Sequence, residues 1–68
     1  MGRVKAVLYR FQACQCLDAA GVITSIPAGL YFVAELDVIT FDVGNKRFDL
    51  DKSAFNLLKA EGKVTLMP

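Results

Sequence analysis

Gly44-Asn45 lies between two alternating runs, residues 39–43 and 46–50, and it constrains this chain more than any other feature. Gly followed by Asn in a two-residue loop signals a type II′ turn, in which Gly supplies the positive φ. That loop pairs Val43 with Lys46, Asp42 with Arg47, Phe41 with Phe48, Thr40 with Asp49 and Ile39 with Leu50. Ile39, Phe41 and Val43 then share a face with Phe48 and Leu50, while Asp42 and Arg47 stand side by side on the other. Both faces agree on one register, and a slip of one residue would turn every side chain over.

A short helix is expected next, from about Lys52 to Glu61. Asp51 suits the N-cap, where its carboxylate accepts from orphan amides of the first turn. Leu50 before the cap and Phe55 within the helix form a hydrophobic staple. Phe55 and Leu58 lie one turn apart on one face, and Gly62 can adopt the left-handed conformation that ends the helix. A helix of about ten residues is unstable alone, so it must pack on a sheet. Residues 63–67 read as a last strand with Val64 and Leu66 facing in.

Upstream, residues 4–11 read as a first strand, with Val4, Ala6 and Leu8 turned away from Arg3 and Lys5. Residues 30–36 read as another, with Phe32, Ala34 and Leu36 alternating against Tyr31, Val33 and Glu35. The phase slips near Asp37, which a tight turn or a bulge explains. Residues 12–25 are the irregular part. Ala13 to Ala20 fits one or two helical turns ended by Gly21, or a long loop with irregular strand pairing, and the β-branched stretch from Val22 to Ile26 is extended.

The chain is therefore expected to be one domain over residues 1–68, mainly β with one short helix. The elements suggest a small, partly open antiparallel β-barrel of five to six strands, with the helix before the last strand. The alternative is a meander sheet packed by one helix. The order resembles that of small SH3-like barrels: a long first loop, a three-strand meander, a helical turn and a last short strand. It departs from true SH3 domains in having no Trp and a longer helix.

Composition narrows the function more than it names it. The 68 residues hold no His, which removes the commonest general base and zinc ligand. Net charge is +1, so there is no bulk pull toward nucleic acid or an anionic membrane. Charge is nevertheless segregated: basic over residues 1–17, acidic over 18–45, basic again over 46–68. The longest uncharged stretch, Ala19 to Ala34, is interrupted by Gly21, Pro27 and Gly29, and a spanning helix needs about 20 apolar residues. The apolar run behind Arg3 and Lys5 ends at Arg10, too short for a signal peptide. A cytoplasmic protein without a membrane partner is the expectation.

Four constellations bear on chemistry. Cys14 and Cys16 form a C-x-C pair that supplies two soft ligands, whereas structural zinc takes four. They read as reduced, half-buried thiols. Asp37, Asp42, Asp49 and Asp51 read as solvated, paired or capping carboxylates, with no nucleophile–base pair beside them. No catalytic residue, metal ligand or cofactor is therefore expected, and the chain is not expected to be an enzyme. Arg3, Lys5, Arg10, Lys46 and Arg47 are the candidates for nucleic-acid contact, with Tyr9, Phe11, Tyr31 and Phe48 as stacking partners.

The fourth feature is an apolar excess, 54% of the chain. The expected core takes Val4, Leu8, Phe11, Ile26, Phe32, Leu36, Ile39, Phe41, Val43, Phe48, Leu50, Phe55, Leu58, Val64 and Leu66. Val7, Tyr9, Leu17, Val22, Ile23, Leu30, Tyr31, Val33, Val38, Leu57 and Met67 remain. So large a remainder suggests a contact surface, centred on Val22, Ile23, Tyr31 and Val33. The functional expectation is a small non-catalytic interaction module that associates with itself, as a homo-oligomer, or with another protein. The alternative is a nucleic-acid-binding small barrel using the first strand and the 44–47 hairpin.

Overall fold

The computed structural model describes residues 5–68, so Arg3 and Val4 lie outside the described residues. Seven strands and one helix follow in the order β1 (Ala6–Phe11), β2 (Cys14–Leu17), β3 (Ile23–Ile26), β4 (Gly29–Glu35), β5 (Ile39–Val43), β6 (Lys46–Leu50), α1 (Lys52–Ala60) and β7 (Val64–Leu66). The chain is mainly β, with the helix before the last strand. One antiparallel sheet has the order β6-β5-β4-β1-β7, and β2-β3 forms a second. The strands outnumber the expected five to six because residues 14–26 form a regular hairpin, where helical turns or a loop with irregular strand pairing was expected. Neither sheet is closed on itself.

The β5–β6 hairpin has the register that its two faces require, from Val43↔Lys46 to Ile39↔Leu50. Gly44 takes φ +61°, and no described non-Gly residue has positive φ, as a type II′ turn demands. The phase slip at Asp37 is a tight turn, which joins β4 to β5 at Glu35↔Ile39. Asp51 caps α1, its carboxylate accepting from the Ala54 amide at 3.0 Å. The helix ends in a Schellman motif. Gly62, at φ +78°, donates to Lys59 O, and Lys63 donates to Leu58 O. Phe55 and Leu58 are the buried helical residues, and Leu50 and Phe55 are both fully buried, as the staple requires.

Phe11 is central to the core. Its ring lies 4.9 Å from Phe41, 5.2 Å from Tyr31 and 6.1 Å from Phe55. Phe41 stacks in turn on Tyr31 and Phe48. Ile26, Ile39, Leu50, Val64 and Cys16 fill the remaining volume.

Two strands face the opposite way from the expectation. In β1, Tyr9 and Phe11 are buried and Leu8 is only half-buried. Arg10 decides this phase, because burying Leu8 would bury the guanidinium on the same face. β1 then sets β4 through the pairs Val7↔Val33, Leu8↔Phe32 and Tyr9↔Tyr31. Val33 is therefore fully buried, and Phe32 is 66% exposed. The cost of turning Glu35 toward the inner side is offset by partners. The Tyr9 hydroxyl donates to Glu35 Oε2 at 2.8 Å, and Lys59 Nζ stands 3.6 Å from Oε1. Leu36 and Leu66, also expected in the core, are exposed. Leu36 sits in the β4–β5 turn and Leu66 on a three-residue edge strand.

Candidate functional site

Strand alternation leaves one face of the five-stranded sheet without a covering layer among the described residues. Register places Leu30, Phe32 and Ala34 of β4 there, beside Arg10, Leu8 and Ala6 of β1. Phe32 is 66% exposed and Leu30 54% exposed, at the middle of the sheet rather than at an edge. Charged and polar groups border them. Asp42 and Arg47 lie 3.7 Å apart on β5 and β6, and the Thr40 hydroxyl donates to Asp49. Thr65 pairs with Arg10 on the β7 side. An aromatic and aliphatic centre with a polar rim is the anatomy of a protein interface.

A second apolar surface lies between the β2–β3 hairpin and α1. Leu17, Ile23 and Leu57 are exposed there around a cleft of about 320 Å³ that Cys16 and Glu61 also line. Val22 is 60% exposed at the hairpin turn, which Asp18 organises by accepting from the Ala20 and Val22 amides at 2.9 Å. The four residues expected at the contact surface thus part company. Val22 and Ile23 are exposed. Tyr31 is half-buried, stacked on Phe41, with its hydroxyl donating to Pro27 O at 2.6 Å. Val33 belongs to the core, which corrects its expected place on the reverse face. Leu30 and Phe32, their neighbours in β4, take the exposed positions instead. The signal was present in Arg10, whose face must be the outer one.

The basic candidates are spread out. Arg10 and Arg47 share the outer sheet face, but β4 and β5 run between their strands, with Phe32 and Asp42 interposed. Lys46 follows the opposite alternation and sits over the Phe48 ring, 5.0 Å from its centroid. Lys5 is exposed just before β1. Of the proposed stacking partners, Tyr9, Phe11 and Phe48 are buried in the core.

Three groups have shifted acidity. Burial pushes the Cys16 thiol up to about 11, with Cys14 and Asp51 adding to it. Burial also raises Cys14, against a lowering by Lys63. Both side chains face the core from alternate positions of β2, and both are free thiols. A thiol held protonated at neutral pH is a weak nucleophile. Tyr9 is pushed up to about 12, by burial first and then by its hydrogen bond to Glu35 and the charge there. Among the described residues no three Cys, Asp or Glu gather as a metal site would require. No described helix is long and apolar enough to cross a membrane.

Comparison with known proteins gave no match to a family model, to a curated protein or to a solved structure.

Proposed function

We propose that the chain is a small non-catalytic interaction module, binding a second copy of itself or another protein through the outer face of the five-stranded sheet. The observation that carries this reading is Phe32, two-thirds exposed at the middle of a central strand, with Leu8 directly across and Leu30 beside it. Aromatic anchors surrounded by weaker contacts are where binding energy concentrates. Arg10, Asp42, Arg47 and Asp49 at the rim would orient the partner more than they would add affinity. In the same reading the two sheets form one partly open, SH3-like small barrel. The isolated bridge Asp18↔Leu50 supports it by tying the β2–β3 hairpin to the end of β6.

The test is sedimentation velocity of wild type and Phe32→Glu across a wide concentration range. Self-association that Phe32→Glu weakens at least tenfold, with a fold that stays intact and loses no more than about 1 kcal/mol in urea unfolding, is the expected result. Association untouched by Phe32→Glu would overturn self-association through this face. A wild type that stays monomeric throughout would remove the self-associating form and leave another protein as the occupant.

A further inference from the structure

The outer edge of β3 is a second surface, separate from the Phe32 face. Its backbone polarity follows from the hairpin ladder. The Asp18 amide donates to Val22 O at 2.8 Å, which makes 18 and 22 a hydrogen-bonded position. In an antiparallel ladder such positions alternate. Cys16↔Thr24 and Cys14↔Ile26 are therefore hydrogen-bonded pairs, whereas Leu17↔Ile23 and Gln15↔Ser25 are not. Leu17 confirms the alternation, since its carbonyl turns away from β3 and accepts from the Asp51 amide at 3.0 Å. By the same rule, the amides and carbonyls of Ile23 and Ser25 point outward from the hairpin. Among the described residues, β2 is the only strand paired with β3.

Charge is one of the devices that protect native edge strands. β6 has Lys46, Arg47 and Asp49 along its length. β3 has none: residues 21–26 read Gly-Val-Ile-Thr-Ser-Ile, uncharged and rich in β-branched side chains. Two other edges are uncharged: β7 is three residues long and flanked by Lys63, and β2 is engaged on its outer side, where the Leu17 carbonyl accepts from the Asp51 amide.

We infer that this edge pairs with the β3 edge of a second copy, antiparallel and across a two-fold axis, making a four-stranded sheet from two hairpins. The occupant is a second copy because the edge is complementary to itself. Ile23 and the partner's Ser25 exchange two hydrogen bonds, and symmetry repeats the exchange. Thr24 meets the partner's Thr24 at the axis, in a non-hydrogen-bonded pair that suits facing threonines. Val22 comes opposite the partner's Ile26 in register, while Ile26 keeps its side chain in its own core. Pro27 has no amide to donate, which ends the ladder there. β3 itself carries no charge, and in the cleft beside Thr24 both signs are present, Lys46 and Arg47 with Asp18 and Asp49.

The inference uses a different surface from the Phe32 face and stands without it. Its test is cysteine cross-linking in air, followed by peptide mapping. Facing residues of a non-hydrogen-bonded pair lie about 4.5 Å apart at Cα, within disulfide range. Position 23 is offset from its symmetry mate by two residues, roughly 8 Å, beyond that range. Cys16 faces position 24 across the hairpin, so both variants are made with Cys14→Ala and Cys16→Ala to remove the competing thiols. Thr24→Cys is then expected to form its symmetric disulfide at least tenfold faster than Ile23→Cys, although Ile23 is the more exposed site. Adding Ser25→Pro, which removes an outward amide while sparing the β2 ladder, should slow the Thr24→Cys reaction at least fivefold. Adding Phe32→Glu should leave it unchanged. Equal rates at positions 23 and 24 would overturn the edge pairing. A Thr24→Cys rate that falls with Phe32→Glu would also overturn it, and would assign the association to the sheet face instead.

Discussion

Val33 and Phe32 are adjacent in β4, and substitution should separate them sharply. Val33 is fully buried, so Val33→Ala removes two carbons from the core. At about 0.8 kcal/mol per buried carbon group the transfer loss is about 1.6 kcal/mol. A residual cavity adds about 1 kcal/mol, for a total of about 2–3 kcal/mol. Phe32 keeps 66% exposure, so only about a third of its side chain is removed from water. Full burial of such a residue contributes about 1.5–3 kcal/mol, and a third of that is under about 1 kcal/mol. Phe32→Thr, which keeps strand propensity, should therefore cost less than about 1 kcal/mol. The assay is urea unfolding followed by circular dichroism, with thermal melting beside it. In a domain of this size each kcal/mol moves the melting temperature by about 4–8 °C, so Val33→Ala should melt at least about 8 °C lower. The urea slopes should match wild type, which excludes a changed denatured state. If Phe32→Thr costs as much as Val33→Ala, the phase of β4 is wrong and so is the exposed face built on it.

Three further outcomes follow from individual contacts. Tyr9, with its pKa raised from 10 to about 12 in the folded state, stabilises the fold fully below pH 10. That contribution, about 2–3 kcal/mol, should be lost as pH rises from 10 to about 12. Cys16 acts in the same direction between 9 and about 11, so urea midpoints should fall through this whole range. Tyr9→Phe should flatten the upper part of the decline, and an unaltered profile in that variant would remove the Tyr9–Glu35 linkage. Asp51→Ala should cost about 1 kcal/mol in urea unfolding through loss of the cap, with Asp51→Asn recovering most of it. Cys14 and Cys16 should react with an aromatic disulfide reagent at least tenfold more slowly in the native state than in urea, because both thiols are sheltered and held protonated. Equal rates in the two states would show that the β2 thiols are open to solvent.

The second half of the chain was legible because its signals are local. A two-residue turn fixes the β5–β6 register, and Asp51, Leu50, Phe55 and Gly62 set the ends and the buried face of α1 within a dozen residues. The first half depends on distant partners. In β4 the alternation of Phe32, Ala34 and Leu36 against Tyr31, Val33 and Glu35 favours burying the first set. The structure buries the second, because Tyr9 and Lys59 supply partners for Glu35 from 26 and 24 positions away. Neither partner is visible from β4 alone. Arg10 was the accessible clue, since it shares a face with Leu8 and therefore fixes β1, and β1 fixes β4. The β2–β3 hairpin was anticipated only as irregular strand pairing, for a related reason. Its turn is built by the Asp18 side chain rather than by a two-residue Gly signal. Of the candidate surface, Val22 and Ile23 were legible as apolar residues next to a glycine turn, while Leu30 and Phe32 depended on the phase of β4.

Fluorine NMR offers the most direct measurement of the proposed contact. The chain has five phenylalanines, of which Phe11, Phe41, Phe48 and Phe55 are buried and Phe32 alone is exposed. Uniform fluorophenylalanine labelling gives five resonances, and Phe32→Leu identifies the exposed one. As protein concentration rises from micromolar to millimolar, the Phe32 resonance should shift or broaden while the other four stay fixed. Association seen by sedimentation with the Phe32 resonance unmoved would contradict self-association through this face.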